Sequence, residues 1–430
     1  MLHSRRNFIS TLSLAAPAFS FSTFLKTDDG KKLIETLKHR QHPNVNASNL
    51  DEDFWAMIKQ AYSVSPTILN LNNGGVSPQP RVVQEAVEHY NRLSNEAPSY
   101  YMWQIVDKGR EPLRNDLARL SGADAEELAI NRNSSEALET IIFGLQLQPG
   151  DEVVLTKQDY PNMINAWKQR EQRDGIVLKW LNFEFPIEDK DQIVQTFENA
   201  FTDKTKVVHI THMINWNGQV LPAREIADRA KARGIDVLVD AAHSFVHIDF
   251  KIPDLNCDYL GTSLHKWLCA PFGSGLLYIR KEKIASLYPL LAAPNPLEDN
   301  IRKFEHLGTR SFAIEQGIAH AVDFHNMIGT ERKSARLRYL KDYWTNAVKD
   351  LPGVTIGTPA HPAFSGAIAL LQMEGKEPGE VSNRLFHDFK IHTVAINWEN
   401  IHGVRITPNV YTLKSDLDRL IEAITAIAKS

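Results

Sequence analysis

Cysteine is nearly absent from this chain. Two residues, Cys257 and Cys269, among 430 cannot build a disulfide framework, and their spacing matches no zinc pattern. A single bridge between them remains open, with two unlinked buried thiols as the expectation. A dominant charge sign is also missing. Forty-eight basic residues stand against 52 acidic ones, a net charge of -4, which argues against nucleic acid or a strongly charged surface as partner. No internal repeat and no low-complexity tract occurs. No G-x-G-x-x-G follows an early strand, which removes a nicotinamide enzyme. No metal-ligand spacing is seen, so a metal-free site is expected. At this length one core does not suffice, and two domains are expected.

The N-terminus carries the first positive signal. Ser4-Arg5-Arg6-Asn7-Phe8-Ile9 precedes a weakly apolar run, Leu12 to Leu25, with Ala16-Pro17-Ala18 as an A-x-A site. Paired arginines before such a run resemble a twin-arginine export signal over residues 1–26. The run is too short and too rich in Ser and Thr for a membrane span, so no stable membrane association is expected after signal removal. That reading makes the protein periplasmic or otherwise exported; without the signal it is cytoplasmic. A polar stretch rich in Lys, His and Asn opens an N-terminal arm over residues 27–70.

Beyond that arm, strand and helix alternate. Apolar runs at Leu128–Ile130, Glu152–Thr156, Ile176–Leu181, Val207–Thr211, Ile235–Val239 and Tyr259–Thr262 read as strands, with helical stretches such as Ala223–Arg233 between most of them. This predicts an α/β fold with a mostly parallel central sheet and helices on both faces, over residues 71–318. A single long helix, about His320 to Lys349, then leads into a smaller C-terminal α+β domain, residues 319–430. Its strands are expected at Ala367–Gln372 and Val404–Thr407, and its last helix at Lys414–Lys429.

In a parallel sheet, ligands bind where the carboxyl ends of the strands open into loops. Val237-Leu238-Val239-Asp240 places a carboxylate at such an end, and Lys266 follows the next strand but for three residues. A lysine kept from water loses proton affinity and becomes an amine nucleophile. An acid and an amine at neighbouring strand ends are what pyridoxal phosphate requires. The lysine forms a Schiff base with its aldehyde, and the aspartate keeps the ring nitrogen protonated. Ser134 and Ser135, at an expected helix N-cap, supply phosphate donors, with Ser263 and His265 beside the lysine adding two more. Tyr160, on the loop after Thr156, offers a face for the ring to stack on, and Asn215 reaches the ring oxygen.

Ser263-Leu264-His265-Lys266, with Pro271-x-Gly273-x-Gly275-Leu276-Leu277-Tyr278-Ile279, resembles the lysine motif of class V aminotransferase-like enzymes, which are fold-type I pyridoxal phosphate proteins. His265-Lys266-Trp267-Leu268-Cys269-Ala270-Pro271, Gly308-Thr309-Arg310 and Gly218-x-Val220-Leu221-Pro222 are most similar to the isopenicillin N epimerase branch. The resemblance spans about Asn70 to the C-terminus and implies further roles. His243 sits near the ring oxygen. Thr309 reaches the phosphate of a partner subunit, which makes the protein a homodimer. Arg405 clamps the substrate carboxylate, and Asn73 touches substrate. The phosphate loop, Asn131-Arg132-Asn133-Ser134-Ser135-Glu136, departs from the family, where a threonine is commoner.

The expectation is a pyridoxal phosphate-dependent aminotransferase or epimerase acting at the α-carbon of an amino acid or an amino-acid-containing molecule. Two alternatives stand beside it. One is a lyase of the cysteine desulfhydrase or desulfurase kind, although desulfurases of this class need a mobile cysteine and neither Cys257 nor Cys269 fits that need. The other is a non-catalytic binding protein on the same fold.

Overall fold

The computed structural model describes residues 50–430; residues 1–26, expected to be an export signal, and residues 27–49 of the expected arm lie outside the described residues. A two-residue strand, β1 (Leu69–Asn70), precedes β2 (Leu128–Asn131), β3 (Glu152–Thr156), β4 (Val177–Leu181), β5 (Thr205–Thr211), β6 (Asp236–Asp240), β7 (Tyr259–Ser263) and β8 (Gly275–Ile279). Five more follow: β9 (Val354–Ile356), β10 (Ala369–Met373), β11 (Ile391–His392), β12 (Val394–Trp398) and β13 (Ile401–Ile406). The helices of nine residues or more are α1 (Glu52–Gln60), α2 (Arg81–Glu96), α3 (Arg110–Ser121), α4 (Ser134–Gly144), α5 (Pro161–Asp174), α6 (Lys190–Ala200), α7 (Ala223–Lys231), α8 (Phe312–Ile328), α9 (Thr330–Val348), α10 (Pro378–Phe389) and α11 (Lys414–Ala428).

The central sheet has seven strands in the order β2-β8-β7-β6-β5-β3-β4. From β7 to β4 the neighbours are parallel; β8 runs against both β7 and β2. The inner strands are buried on both faces, as their apolar runs require, while the edge strand β4 is only partly covered. In β6, Val237 and Val239 enter one core while Leu238 enters the other. The first core takes side chains from α3, α6, α7 and α8; the second takes Leu138 and Ile141 of α4 with Met163 and Trp167 of α5. The fold is therefore the fold-type I architecture, two helical layers on a mostly parallel sheet.

The smaller sheet is antiparallel, in the order β12-β13-β10-β9, and β1 pairs in parallel with β11 beside it. Leu69 and Leu71 are buried with Leu371, Ile391, Leu417 and Ile424, so the segment that leaves the N-terminal arm belongs to the small core. The single helix expected from 320 to 349 is two helices. Gly329, at φ +86°, stops α8 and starts α9, a conformation that a residue with a Cβ resists. Ile318 and Val322 of α8 pack in the large core, whereas Leu340, Trp344 and Val348 of α9 pack in the small one. The chain thus crosses between cores along α9, beyond residue 319.

Candidate active site

Four parallel strands, β3, β5, β6 and β7, aim their carboxyl ends at one place. Register aligns Thr211 with Asp240 and Asp240 with Gly261, so β5 and β6 end level and β7 runs two residues further, to Ser263. A cavity of about 470 Å³ opens there, lined by Asn133, Ser134, Ser135, Tyr160, Thr211, Asn215, Asp240, His243, Ser263, His265, Lys266 and Arg405. Gly74, Gly75 and Val76 form another wall, Trp216 and Val394–Ile396 the far one. That volume suits a cofactor with a small substrate.

The loop carrying Lys266 is held from behind. The buried ammonium of Lys333 donates to the Trp267 carbonyl, Ser77 N–H donates to the His265 carbonyl at 3.1 Å, and Ala270 N–H to Leu264 O at 3.1 Å. Cys269 in this turn takes a left-handed φ of +57°. Lys266 Nζ lies 3.0 Å from His243 Nε2 and 6.0 Å from the centre of the Tyr160 ring. Burial lowers the lysine to about 8, helped by Arg405 and opposed by Asp240. Burial, then the Lys266 charge, holds His243 well below the usual imidazole range. Asp240 is raised by burial, against the Ala242 N–H that donates to it at 2.8 Å and the charge of Lys266.

The start of α4 makes an anion cradle. Its N-cap is Asn133, whose side chain accepts from Glu136 N–H, so the serines expected at the cap instead occupy the first helical turn. Ser134 N–H donates to Ser263 Oγ at 2.9 Å, and that hydroxyl donates to Ser134 Oγ at 2.9 Å. A Cβ at Gly275 would sit 2.6 Å from the Asn133 backbone, so only glycine lets β8 approach this turn. His265 is oriented by Ser274: a carbonyl only accepts, so Nδ1 donates to Ser274 O at 3.1 Å, and Nε2 donates to an anion only when the ring carries a second proton.

Arg405 stands on β13 of the small domain and reaches back into the same cavity. It is 6% exposed. One end of its guanidinium donates to the Asn215 carbonyl at 2.8 Å and the other to Asn72 Oδ1 at 2.9 Å. Among the described residues it has no ion pair. Burial lowers it to about 10. A buried cation without an anion is costly unless a ligand supplies one.

Most of the residues singled out from sequence meet here, with two exceptions. Asn73 is 0% exposed and does not line the cavity. Its amide donates to Thr407 O at 2.7 Å and its oxygen accepts from Tyr411 and Asn70, so its bonding capacity is spent inside the turn. The structure places Asn73 outside the cavity lining, whereas its neighbour Asn72 reaches the site through its bond to Arg405. Thr309 is exposed on a loop and lines no part of this cavity. Sequence reasoning passed over Asn72, Thr211, Trp216 and β12. Trp216 stacks on Trp398 of β12 at 5.2 Å, joining the two domains at the rim. Nothing local marks such pairs; they arise only when the domains meet.

Three buried polar atoms around the cavity lack any protein partner: Asn215 Oδ1, His243 Nδ1 and Arg405 Nε. Buried groups of this kind are normally satisfied, so they ask for a polar ligand. Serine hydroxyls at a helix start suit a phosphate, an amine beside a carboxylate suits an aldehyde and a ring nitrogen, and Tyr160 offers a ring face. The residues fit pyridoxal phosphate, and fold and site together define a pyridoxal phosphate-dependent enzyme of fold type I.

The chain belongs to the aminotransferase class-V family, which it matches over residues 69–395. It is 28% identical over 390 residues to the isopenicillin N epimerase of Streptomyces clavuligerus, covering 87% of this chain and 98% of that one. The apo structure of a cysteine desulfurase from Thermococcus onnurineus superposes with a TM-score of 0.77 at 23% identity, over 86% of this chain and 97% of that one. A lysine-to-alanine variant of C-DES, with glycine covalently linked to its pyridoxal phosphate, gives a TM-score of 0.78 at 20% identity, over 85% and 98%.

Proposed function

We propose that this enzyme removes the α-proton of an amino acid, or of a larger molecule with an amino-acid end, whose carboxylate docks on Arg405. The observation that carries this is Arg405 itself, a buried guanidinium with no acidic partner among the described residues, lining the same cavity as Lys266. A guanidinium takes both oxygens of a carboxylate at once, and Asn72 and the Asn215 carbonyl fix its plane for that. Bound pyridoxal phosphate supplies an aldehyde for an amine and a conjugated ring that draws electrons from the α-carbon.

The chain's own residues do the rest. Ser134, Ser135, Ser263 and His265 would hold the phosphate, Tyr160 would cover one ring face, and Asn215 and His243 would meet the ring oxygen. Asp240 would keep the ring nitrogen protonated. Lys266 would hold the aldehyde and, once the substrate amine is bound there, would take the α-proton. Its lowered proton affinity keeps a useful share of it neutral near pH 7–8. Transfer of sulfur to an enzyme cysteine finds no support, since Cys257 and Cys269 are both 1% exposed and line no part of the cavity.

Two further features complete the reading. Exposed Thr309, and the exposed apolar side chains of Tyr100, Trp103, Ile105 and Phe272, support a homodimer in which Thr309 serves the partner subunit's phosphate site. Arg5-Arg6 and the run that follows support export through a twin-arginine route, already folded. The test is a spectrum of the purified protein with pyridoxal phosphate, before and after L- and D-amino acids. A near-visible band that shifts with an amino acid, and that Lys266→Ala lacks, is the expected outcome. No band in the wild type, or the same band in the variant, would overturn the reading.

A further inference from the structure

Tyr160 sits at the start of α5, directly after β3, and is 37% exposed where the cavity meets solvent. Its ring centre is 6.0 Å from Lys266 Nζ. That gap is about 1 Å short of two van der Waals separations of about 3.5 Å each, so one planar group fits between amine and phenol ring once the flexible lysine stem yields by that amount. Arg405 is electrostatically linked to Tyr160, so the phenol lies towards the carboxylate clamp. A carbon carrying the carboxylate held by Arg405, and losing its proton to Lys266, therefore has Tyr160 on its far side.

No other titratable group of the cavity has that position. His243 is bonded to Lys266 at 3.0 Å and lies on the lysine's side. His265 precedes the lysine in the chain and is tied to the Ser274 carbonyl. Asp240 ends β6 and accepts from the Ala242 N–H. Arg405 keeps its proton and is committed to the carboxylate.

We infer that Tyr160 is the second proton carrier of this enzyme, acting on the face of the α-carbon opposite Lys266, and that the reaction is inversion of configuration at that carbon. The inference rests on the function proposed above and names its outcome. The step balances without any other reactant. Lys266 takes the α-proton and becomes an ammonium; the carbon becomes planar; the Tyr160 hydroxyl gives its proton to the other face and becomes a phenolate. One C–H bond breaks and one forms. The phenolate regains a proton from water, which its exposure permits, and the ammonium returns one. The reverse direction swaps the two roles. The predicted substrate class is an amino acid, or an amino-acid end group, without a β-leaving group, taken in either configuration.

The test compares the wild-type holoenzyme with Tyr160→Phe, which keeps the ring and removes the proton. Both are incubated in D2O with each enantiomer of a panel of amino acids. Deuterium at the α-carbon is read by mass, and configuration by chiral chromatography. Absorbance titration of the apoprotein with pyridoxal phosphate gives a readout independent of turnover. The wild type is expected to yield inverted product carrying deuterium. Tyr160→Phe is expected to bind the cofactor as tightly as the wild type and to exchange the proton facing Lys266 with retention, while inversion falls roughly 10²–10⁴-fold, the usual worth of a positioned acid or base. Tyr160→His, whose ring carries a proton, should recover part of the loss. Inversion by Tyr160→Phe at the wild-type rate, exchange by the wild type with retention only, or equal loss of exchange from both enantiomers would each overturn the inference while the function reading stands. Absence of both exchange and spectral shift with every amino acid in the wild type would remove the function reading, and this one with it.

Discussion

Two buried guanidiniums, Arg114 and Arg405, sit in opposite electrostatic circumstances. Arg114 on α3 is 0% exposed and fully answered: it donates to both oxygens of Glu305 at 2.8 and 2.9 Å, to Glu111 and to the Leu128 carbonyl. Glu305 in turn accepts from Ile130 N–H at 2.7 Å and lies 3.5 Å from Arg110, whose other partners are Glu315 and Asp107. Arg405 is buried almost as deeply, yet has only two neutral acceptors and an unpartnered Nε. Depth of burial does not separate the two; completeness of pairing does. A closed network fixes the position of β2 and the loop around residue 305, whereas an open one holds a charge ready for something that is not part of the chain.

The sharpest way to break this contrast is to open the closed network. Glu305→Gln leaves Arg114 buried with half its counter-charge gone, and should lower stability by about 3–5 kcal/mol. Urea unfolding would show it as a lower midpoint at an unchanged slope. A loss below about 1 kcal/mol would mean that solvent or Glu111 answers Arg114 instead, and that the network is no more closed than the cavity. Arg405→Leu should behave in the opposite manner. It removes an unanswered buried cation, so stability should move by less than about 1 kcal/mol. Efficiency towards an amino acid should fall roughly 10²–10³-fold, the worth of two hydrogen bonds to a charged group. If instead the variant unfolds and kcat/KM of the surviving fraction is normal, Arg405 is structural.

The same distinction governs what could be read from the sequence. Asp240 and Lys266 were visible because each follows an apolar strand, and strand ends in a parallel sheet converge on one edge. The central layers were visible for the same reason. Arg405 had no local mark and came only through resemblance, since its partners Asn72 and Asn215 lie 333 and 190 positions away. The Asn70–Gly75 turn shows how small the margin is. Asn72 and Asn73 are adjacent and chemically identical, but the turn faces one towards Arg405 and buries the other against Thr407. Ser134 was legible as a helix start but not as the position after the cap, because Asn133 competes for that role and wins. Gly329 was passed over within a continuous helical pattern; its cost in a helix is small enough that only the change of packing partner, from large core to small, reveals the break.

The smallest effect concerns the lysine itself, and it tests whether the open cavity strains the protein. Burial brings Lys266 down to about 8 from an ordinary value of 10.5. Between those two pH values the unfolded chain still holds a proton that the folded chain has released, so stability rises with pH across that window. Below pH 8 both states are charged, and the folded state carries the whole penalty. Lys266→Met removes it. The apoprotein of this variant should be more stable than wild-type apoprotein at pH 7 by about 1 kcal/mol, the full shift being discounted for the water that reaches a half-buried amine. The margin should nearly close by pH 10.5, where the wild-type amine is neutral in the folded state and half titrated in the unfolded one. Urea midpoints at pH 7 and pH 10.5, with pyridoxal phosphate removed from both proteins, read it directly. A variant less stable at pH 7 would mean that Lys266 and Asp240 already answer each other as Arg114 and Glu305 do, and that the cavity is a closed network whose opening begins only when the cofactor binds.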